Sequence, residues 1–322
     1  MSIRLKDYIL GNIKGDNIQS AIAEQGGFFL PKTISEGIYM VQGELSPMRS
    51  ICNVVTASSE EHYAMVSTGS AAGGFVSEID TRPATDAPEV AKREAKFGEI
   101  YARPQAFQHV LEDTSFDCDA WLSANIAKTF SAIEGGSFLN GTGVDQPLGM
   151  LNGLDLSASS AANQVAGDYQ VINSGVDGAF GATAADSVDY LMSLVDALGT
   201  EYLGRAVFMM NRATYRSISK LVGADGAYVL NAELSAPMTP TLLGHEVVFN
   251  EDMSSVPSST GDVAPIIFGD MFNAYSVVDL QDTSITRDPY SIKGSVLFYS
   301  RKRVGSMVMD AKAAVIGAVS KA

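Results

Sequence analysis

The densest group of side chains able to do chemistry is acidic. Glu112, Asp113, Asp117 and Asp119 place four carboxylates within eight residues, a set that could hold a divalent cation or act as an acid/base pair. The same residues stand where a long helix is expected to begin. Acidic groups there complement the positive end of the helix dipole by roughly 0.3 to 1 kcal/mol each, and this plainer account is preferred. A hydrolase using the cluster is the enzymatic alternative; it requires that Asp117→Asn abolish a measured activity while folding is retained. His62, His109 and His245 are isolated, with no HxH, HxxxH or HExxH pair to hold a metal. No GxSxG nucleophile elbow and no GK[ST] phosphate loop occurs. Gly141-Thr142-Gly143 followed by Asp145 has the spacing of a phosphate loop but follows a helix and precedes none. Cys52 and Cys118 make no CxxC pair and are too few for a disulfide scaffold, which points to a reducing, intracellular origin. Asn140-Gly141-Thr142 is a glycosylation triplet that reads as turn residues, because the N-terminus has no secretion signal. Arg301-Lys302-Arg303, the one compact basic run, suits a solvated strand end or an interchain salt-bridge site. These residues name no catalytic group, no cofactor and no metal.

The elements around them follow from periodicity. Thr33 or Ser35 caps a short helix expected to run to about Leu45, and Ile51 to Val55 reads as a strand. From Ser115 or Asp117, the residues Cys118, Leu122, Ile126, Thr129, Phe130 and Ile133 recur at three- and four-residue steps. They predict a helix of about 22 residues to Phe138, roughly 33 Å long at 1.5 Å per residue. Ser187–Leu198 and Thr214–Leu221 read as helices. Ala206–Met210, Val247–Phe249, Pro265–Phe268, Ala274–Val278 and Ser295–Tyr299 read as short strands. Helices and strands alternate without a βαβ rhythm, so the fold class is α+β.

The chain has 322 residues, enough for about two domains. Charged residues make up only 18% and the net charge is −15. Low charge leaves Ser, Thr, Asn and Gly, or neighbouring protein chains, to cover the surface. The negative charge argues against nucleic-acid or anionic-membrane binding by whole-molecule attraction. No apolar run approaches the 18 or so residues of a membrane span.

Residues 56 to 96 stand apart. Among these 41 positions only Tyr63, Met65, Val66, Phe75, Val76, Ile79 and Val90 are large and apolar, while eleven are charged. Such a stretch cannot offset its own ordering entropy, about 1 to 2 kcal/mol per residue for the backbone. It is disordered or it is a hairpin laid on another chain. Alternation at His62 to Met65 and again from Phe97 to Val110 favours the hairpin.

Several segments then resemble one family in one order. They are Glu112-Asp113 before the helix, Glu134-Gly135 late in it, and Phe138-Leu139-Asn140-Gly141 leading to Pro147 and Gly149. Met209 to Thr214, Gly226 to Leu230, Leu243 to Val248, Ile267 to Asp270 and the earlier Gly26-Gly27 with Pro31 agree. The chain resembles tailed-bacteriophage major capsid proteins of the Hong Kong 97 type from about residue 26 onward. The resemblance implies an N-terminal arm (1–30), the start of a peripheral domain (31–55) and an extended hairpin loop over a neighbouring subunit (56–112). It further implies a peripheral domain with a spine helix (113–179), an axial domain (180–278), a peripheral return (279–305) and a C-terminal segment against the axial domain (306–322).

Its implied function is structural: pentamers and hexamers of the chain close into an icosahedral shell around double-stranded DNA, held without sequence-specific contacts. Portal, scaffolding and decoration proteins are the implied partners, the virion is the implied location after assembly in the bacterial host cytoplasm, and no membrane is involved. The expected intersubunit contacts are Gly73, Gly74, Phe75, Arg82, Arg301, Lys302 and Arg303. Residues 67 to 74 are expected to let the hairpin change tilt. The founding member's covalent cross-links are not expected, because Asp288 to Ser300 contains neither Asn nor Glu and Thr68 to Asp86 contains no Lys. With about 25 residues before Gly26, scaffolding is expected to be separate, unnecessary or removed, and Met1 disfavours removal. An encapsulin-type nanocompartment enclosing cargo enzymes is the alternative within the same fold.

Overall fold

The computed structural model describes residues 46–67, 73–76, 87, 89–107, 118–157, 169–221, 240–256 and 262–319. In chain order they form α1 (Met48–Ile51), β1 (Asn53–Thr56), β2 (Tyr63–Ser67), β3 (Val90–Glu94), β4 (Lys96–Ala102), β5 (Gln105–Phe107) and α2 (Cys118–Asn140). Then come β6 (Gln170–Asn173), α3 (Ala184–Asp196), β7 (Val207–Met210), α4 (Arg212–Ser219), β8 (Thr241–Leu242), β9 (His245–Phe249) and β10 (Val263–Gly269). The C-terminal part holds α5 (Met271–Ala274), β11 (Tyr275–Asp288), β12 (Ser295–Val308) and β13 (Ala314–Val319).

Two sheets carry the body. One orders its strands β1-β11-β12-β4, with β5 also on β12; the other runs β6-β13-β10-β7-β9-β8. β10 and β13 are buried along almost their whole length and read as unbroken apolar runs, as central strands covered on both faces must. One core cluster joins α2 to both sheets through Phe130, Phe138, Met209, Ile267, Tyr275 and Ile316. A second packs α3 and α4 on the six-stranded sheet through Leu191, Leu194, Ile218, Phe208 and Phe268. Tyr202 packs against both clusters and donates to Asp310 Oδ2 at 2.6 Å.

Several expected elements differ in extent. Ile51 ends α1, so the strand begins at Asn53. α3 begins at Ala184, before the expected Ser187, because Thr183 and Asp186 form a reciprocal capping box that uses Asp where Glu or Gln is usual. β11 and β12 are 14 residues each, against the five expected for each. β11 continues through the polar Ser284 and Thr286, and β12 crosses Arg301-Lys302-Arg303 before its buried 304–307 segment, so a reading of apolar runs stops short. The helix expected over 33–45 lies outside the described residues.

In α2 the inward stripe is stricter than its sequence suggested: the half-buried Leu122 and the buried Ile126, Phe130, Glu134 and Phe138 recur every four residues, while Ile133 is exposed. The apolar face continues through a carboxylate. The sequence between Phe138 and Leu151 then closes the helix. Met150 N and Leu151 N donate to Phe138 O and Leu139 O, carbonyls that the last turn leaves without helical partners. Gly149 is required by this close return, since a Cβ there would lie 2.5 Å from Leu139 O and from Gly141 N. Leu148 O accepts from Tyr275 Oη at 2.6 Å and Ser306 Oγ at 2.9 Å, which ties the turn to β11 and β12. The glycine-rich turn is therefore a helix stop; among the described residues no helix directly follows it to cradle phosphate.

Candidate assembly interface

β2 and β3 form a sheet of their own, antiparallel, with Tyr63 opposite Glu94, Met65 opposite Lys92 and Ser67 opposite Val90. The other face carries Ala64, Val66, Ala91 and Arg93. No residue of either strand is buried. The expected hairpin exists, but its return strand is Val90–Glu94. The stretch expected to return, from Phe97 on, instead joins the five-stranded sheet as β4 and β5, and 108–110 lie outside the described residues.

A two-stranded hairpin by itself is marginal in water, and this one exposes Met65 at 67% and Val90 at 61%, with Phe75 and Val76 exposed beyond. Gly73 and Gly74 are open, with nothing within 4 Å of a Cβ at either. Covering Met65, Phe75, Val76 and Val90 would be worth roughly 1.5 to 3 kcal/mol per fully buried side chain. Among the described residues none covers this surface.

The basic run sits inside β12, where a strand end was expected. Alternation divides it. Arg301 and Arg303 face outward, opposite Tyr101 and Glu99 of β4. Tyr101 and Tyr299 are exposed on the same face, so aromatic and Arg side chains, the types that anchor interfaces, meet there. Lys302 faces inward and approaches Glu134 Oε1 at 2.6 Å, close enough for ion pairing though without hydrogen-bond alignment.

Glu134 is the centre of a buried charge group. Its side chain is 3% exposed, and Arg49 Nε donates to its Oε2 at 2.7 Å. The remaining nitrogens of Arg49 make a two-point contact with Asp279, at 2.8 Å to Oδ2 and 2.7 Å to Oδ1. Two cations and two carboxylates thus neutralise one another where α1, α2, β11 and β12 meet. Burial acts to raise the Asp279 carboxyl, but the Arg49 hydrogen bonds with the charges of Arg49 and Lys302 outweigh it and hold the group below the usual carboxylate range. Gly135 beside Glu134 is required by close approach: a Cβ would lie 2.2 Å from Ser46 Cβ. The Glu134-Gly135 pair noticed in the sequence therefore does two structural jobs.

The remaining chemical candidates disperse. Arg82, His109, Glu112, Asp113 and Asp117 lie outside the described residues, and Asp119 stands in the first turn of α2. His245 packs edge-on against Phe208 and Phe268, and His62 O accepts from Ala95 N at the hairpin root. Cys52 is buried, which pushes its thiol up to about 12 and leaves it unreactive. Among the described residues no group of three or more His, Cys, Asp or Glu could hold a metal ion, and no helix is long and apolar enough to cross a membrane. Arg49, Glu60, Glu99 and Asp279 were not singled out from sequence. For Glu134 a signal existed in its place on the four-residue stripe; the others are up to 230 residues from their partners.

Comparison with known proteins places this architecture. No curated protein matches at a significant level. The capsid of a native GTA particle, computed with C5 symmetry, is similar at 32% identity and a TM-score of 0.84, over 94% of this chain and 99% of that one. The capsid of an empty GTA particle, also computed with C5 symmetry, gives 31%, 0.81, 94% and 99%. A structure from Gordonia phage Cozz shares the fold at 12% identity and a TM-score of 0.65, over 93% and 94%. The family model described as "Phage capsid family" matches residues 26–319. With nearly the whole length matched in sequence and in fold, this chain belongs to the phage capsid family, a shell protein with the Hong Kong 97 type of fold.

Proposed function

We propose that copies of this chain assemble as pentamers and hexamers into a closed icosahedral shell that encloses double-stranded DNA without gripping it, and that it performs no catalysis. The observation that carries the proposal is the β2–β3 hairpin, whose apolar side chains the described residues leave uncovered. A segment of this composition gains buried area on an adjacent copy, and head-to-tail contacts between identical subunits close into rings. The five-stranded sheet with α2 serves as the peripheral domain, and the six-stranded sheet with α3 and α4 as the axial one. A shell carrying −15 per subunit repels the phosphate backbone at long range, which suits a container that must release its contents. Virion location, assembly in a bacterial cytoplasm, and portal, scaffolding or decoration partners belong to the same reading.

The test is electron microscopy of the purified, concentrated protein with nuclease-resistant nucleic acid assayed in the particles. Closed shells containing DNA support the proposal, shells filled with protein cargo favour the encapsulin alternative, and a chain that stays monomeric overturns both. Deletion of residues 66 to 85 is expected to leave a soluble, folded subunit that no longer closes shells. Normal particles from that deletion would contradict the role given to the hairpin.

A further inference from the structure

The hairpin ladder is paired from Tyr63↔Glu94 to Ser67↔Val90, so it moves as one piece over that length. Most of the 67–74 segment expected to set its tilt, residues 68 to 72, lies outside the described residues. At the near end the connecting segments are short, and β3 lies beside the body, where Lys92, Arg93 and Glu94 line a cavity with Met150, Tyr169 and Met307. Ala57–His62 leads in without regular structure, and Ala95 alone separates β3 from β4. A small apolar cluster of Ala57, Ala95, Val278 and Met307 seats the root. Two backbone hydrogen bonds close it, Ala57 N to Asp279 O at 2.8 Å and Ala95 N to His62 O at 2.9 Å.

At this root Arg303 stands between two carboxylates of different kinds, beside a second pair, Lys96 Nζ with Glu94 Oε2 at 3.5 Å. Arg303 pairs with Glu60, which travels with the hairpin root, and its Nε lies 4.0 Å from Glu99 Oε2, fixed opposite it on β4. An open cavity of about 480 Å³ adjoins them, lined among others by Glu94, Phe97 and Asp145. The geometry points to a pivot at Ala57–His62 and Ala95, latched by Arg303. When the root lifts, Arg303 gives up Glu60 and keeps Glu99, so no charge is stranded, and the cavity supplies the room. Arg303 is thus a selector of hairpin orientation. The role in seating the hairpin on a neighbour rests on the shell reading, but the latch belongs to the single subunit.

The two carboxylates compete for one guanidinium, so their removal has opposite effects. In the unassembled full-length subunit, Glu60→Gln is expected to speed amide exchange of peptides covering Ala57 and Ala95 by about two- to five-fold, the range an exposed ion pair supplies. Glu99→Gln, which removes the competitor, slows the same peptides. Exchange of β10 and β13, which neither carboxylate touches, is the internal control for folding. Opposite signs at the root with an unchanged control establish the latch; equal signs, or no change in either variant, overturn it. Failure of the protein to form shells would remove the proposed function and leave the exchange result standing, whereas normal shells with equal signs would remove only the latch.

Discussion

Removing the Glu134 charge is the sharpest test of how this fold is held together. Glu134→Gln keeps the shape of the side chain and leaves Arg49 and Lys302 facing Asp279 alone, one positive charge in excess at a site where Lys302 is 17% and Asp279 19% exposed. Breaking a buried pair by removing one partner costs about 3 to 5 kcal/mol. The lower end applies here, because Arg49 keeps its two-point contact with Asp279 and is itself 30% exposed. A loss of about 3 kcal/mol is expected, which at about 2 °C per kcal/mol for a chain of this size lowers the melting temperature by about 6 °C. Scanning calorimetry of the unassembled subunit measures it. Lys302→Met combined with Glu134→Leu removes both charges together and should cost less than the sum of the single changes, since neither partner is left stranded. A Glu134→Gln protein melting within a degree of the wild type, or strictly additive losses in the double variant, would refute the claim that this charge group is coupled and buried.

Other consequences can be checked alongside. Because the folded Asp279 carboxyl is held below its usual value, its contribution is present at neutral pH and is lost as pH falls through the folded value; wild-type melting should therefore drop below about pH 4, and Asp279→Asn should flatten that drop while melting lower at pH 7. Gly149→Ala forces a Cβ onto backbone at 2.5 Å and should cost at least the 1 to 3 kcal/mol typical of overpacking, approximately, read from denaturant midpoints. Replacing Tyr63, Met65 and Val90 together by Ser should leave subunit stability within about 1.5 kcal/mol, about 0.5 for each exposed site, and abolish shells in electron micrographs. Raising ionic strength from about 0.01 M to 0.15 M shortens the screening length from about 30 Å to about 8 Å. With −15 per subunit, the concentration needed for assembly should fall, as followed by light scattering; a rise would show that long-range repulsion is not the barrier.

The seating of the interface follows from where apolar area is spent. Among the described residues, the two core clusters take up the apolar faces of both sheets and of α2 to α4, and the hairpin root is seated by Ala57, Ala95, Val278 and Met307, with Ala64 packed against them.

The long helix, the apolar-poor excursion before it and the glycine-proline stop after it were legible in the residues, because each depends on neighbours in sequence: a near-fourfold apolar recurrence, a shortage of apolar side chains, and turn chemistry at Gly141 to Gly149. The order of these segments carried the family as well. What the residues did not disclose were the length of β11 and β12, the return strand of the hairpin and the meaning of Arg301-Lys302-Arg303. A strand with one face exposed and polar at its far end looks like a loop until its partner is known, and a run of three cations looks uniform until the pleat sends Lys302 to a helix and its two neighbours outward. The pairing of Arg49 with Asp279, 230 residues apart, is of the same kind: local order is written along the chain, while the partner of a charge is chosen by whichever strand the sheet brings alongside.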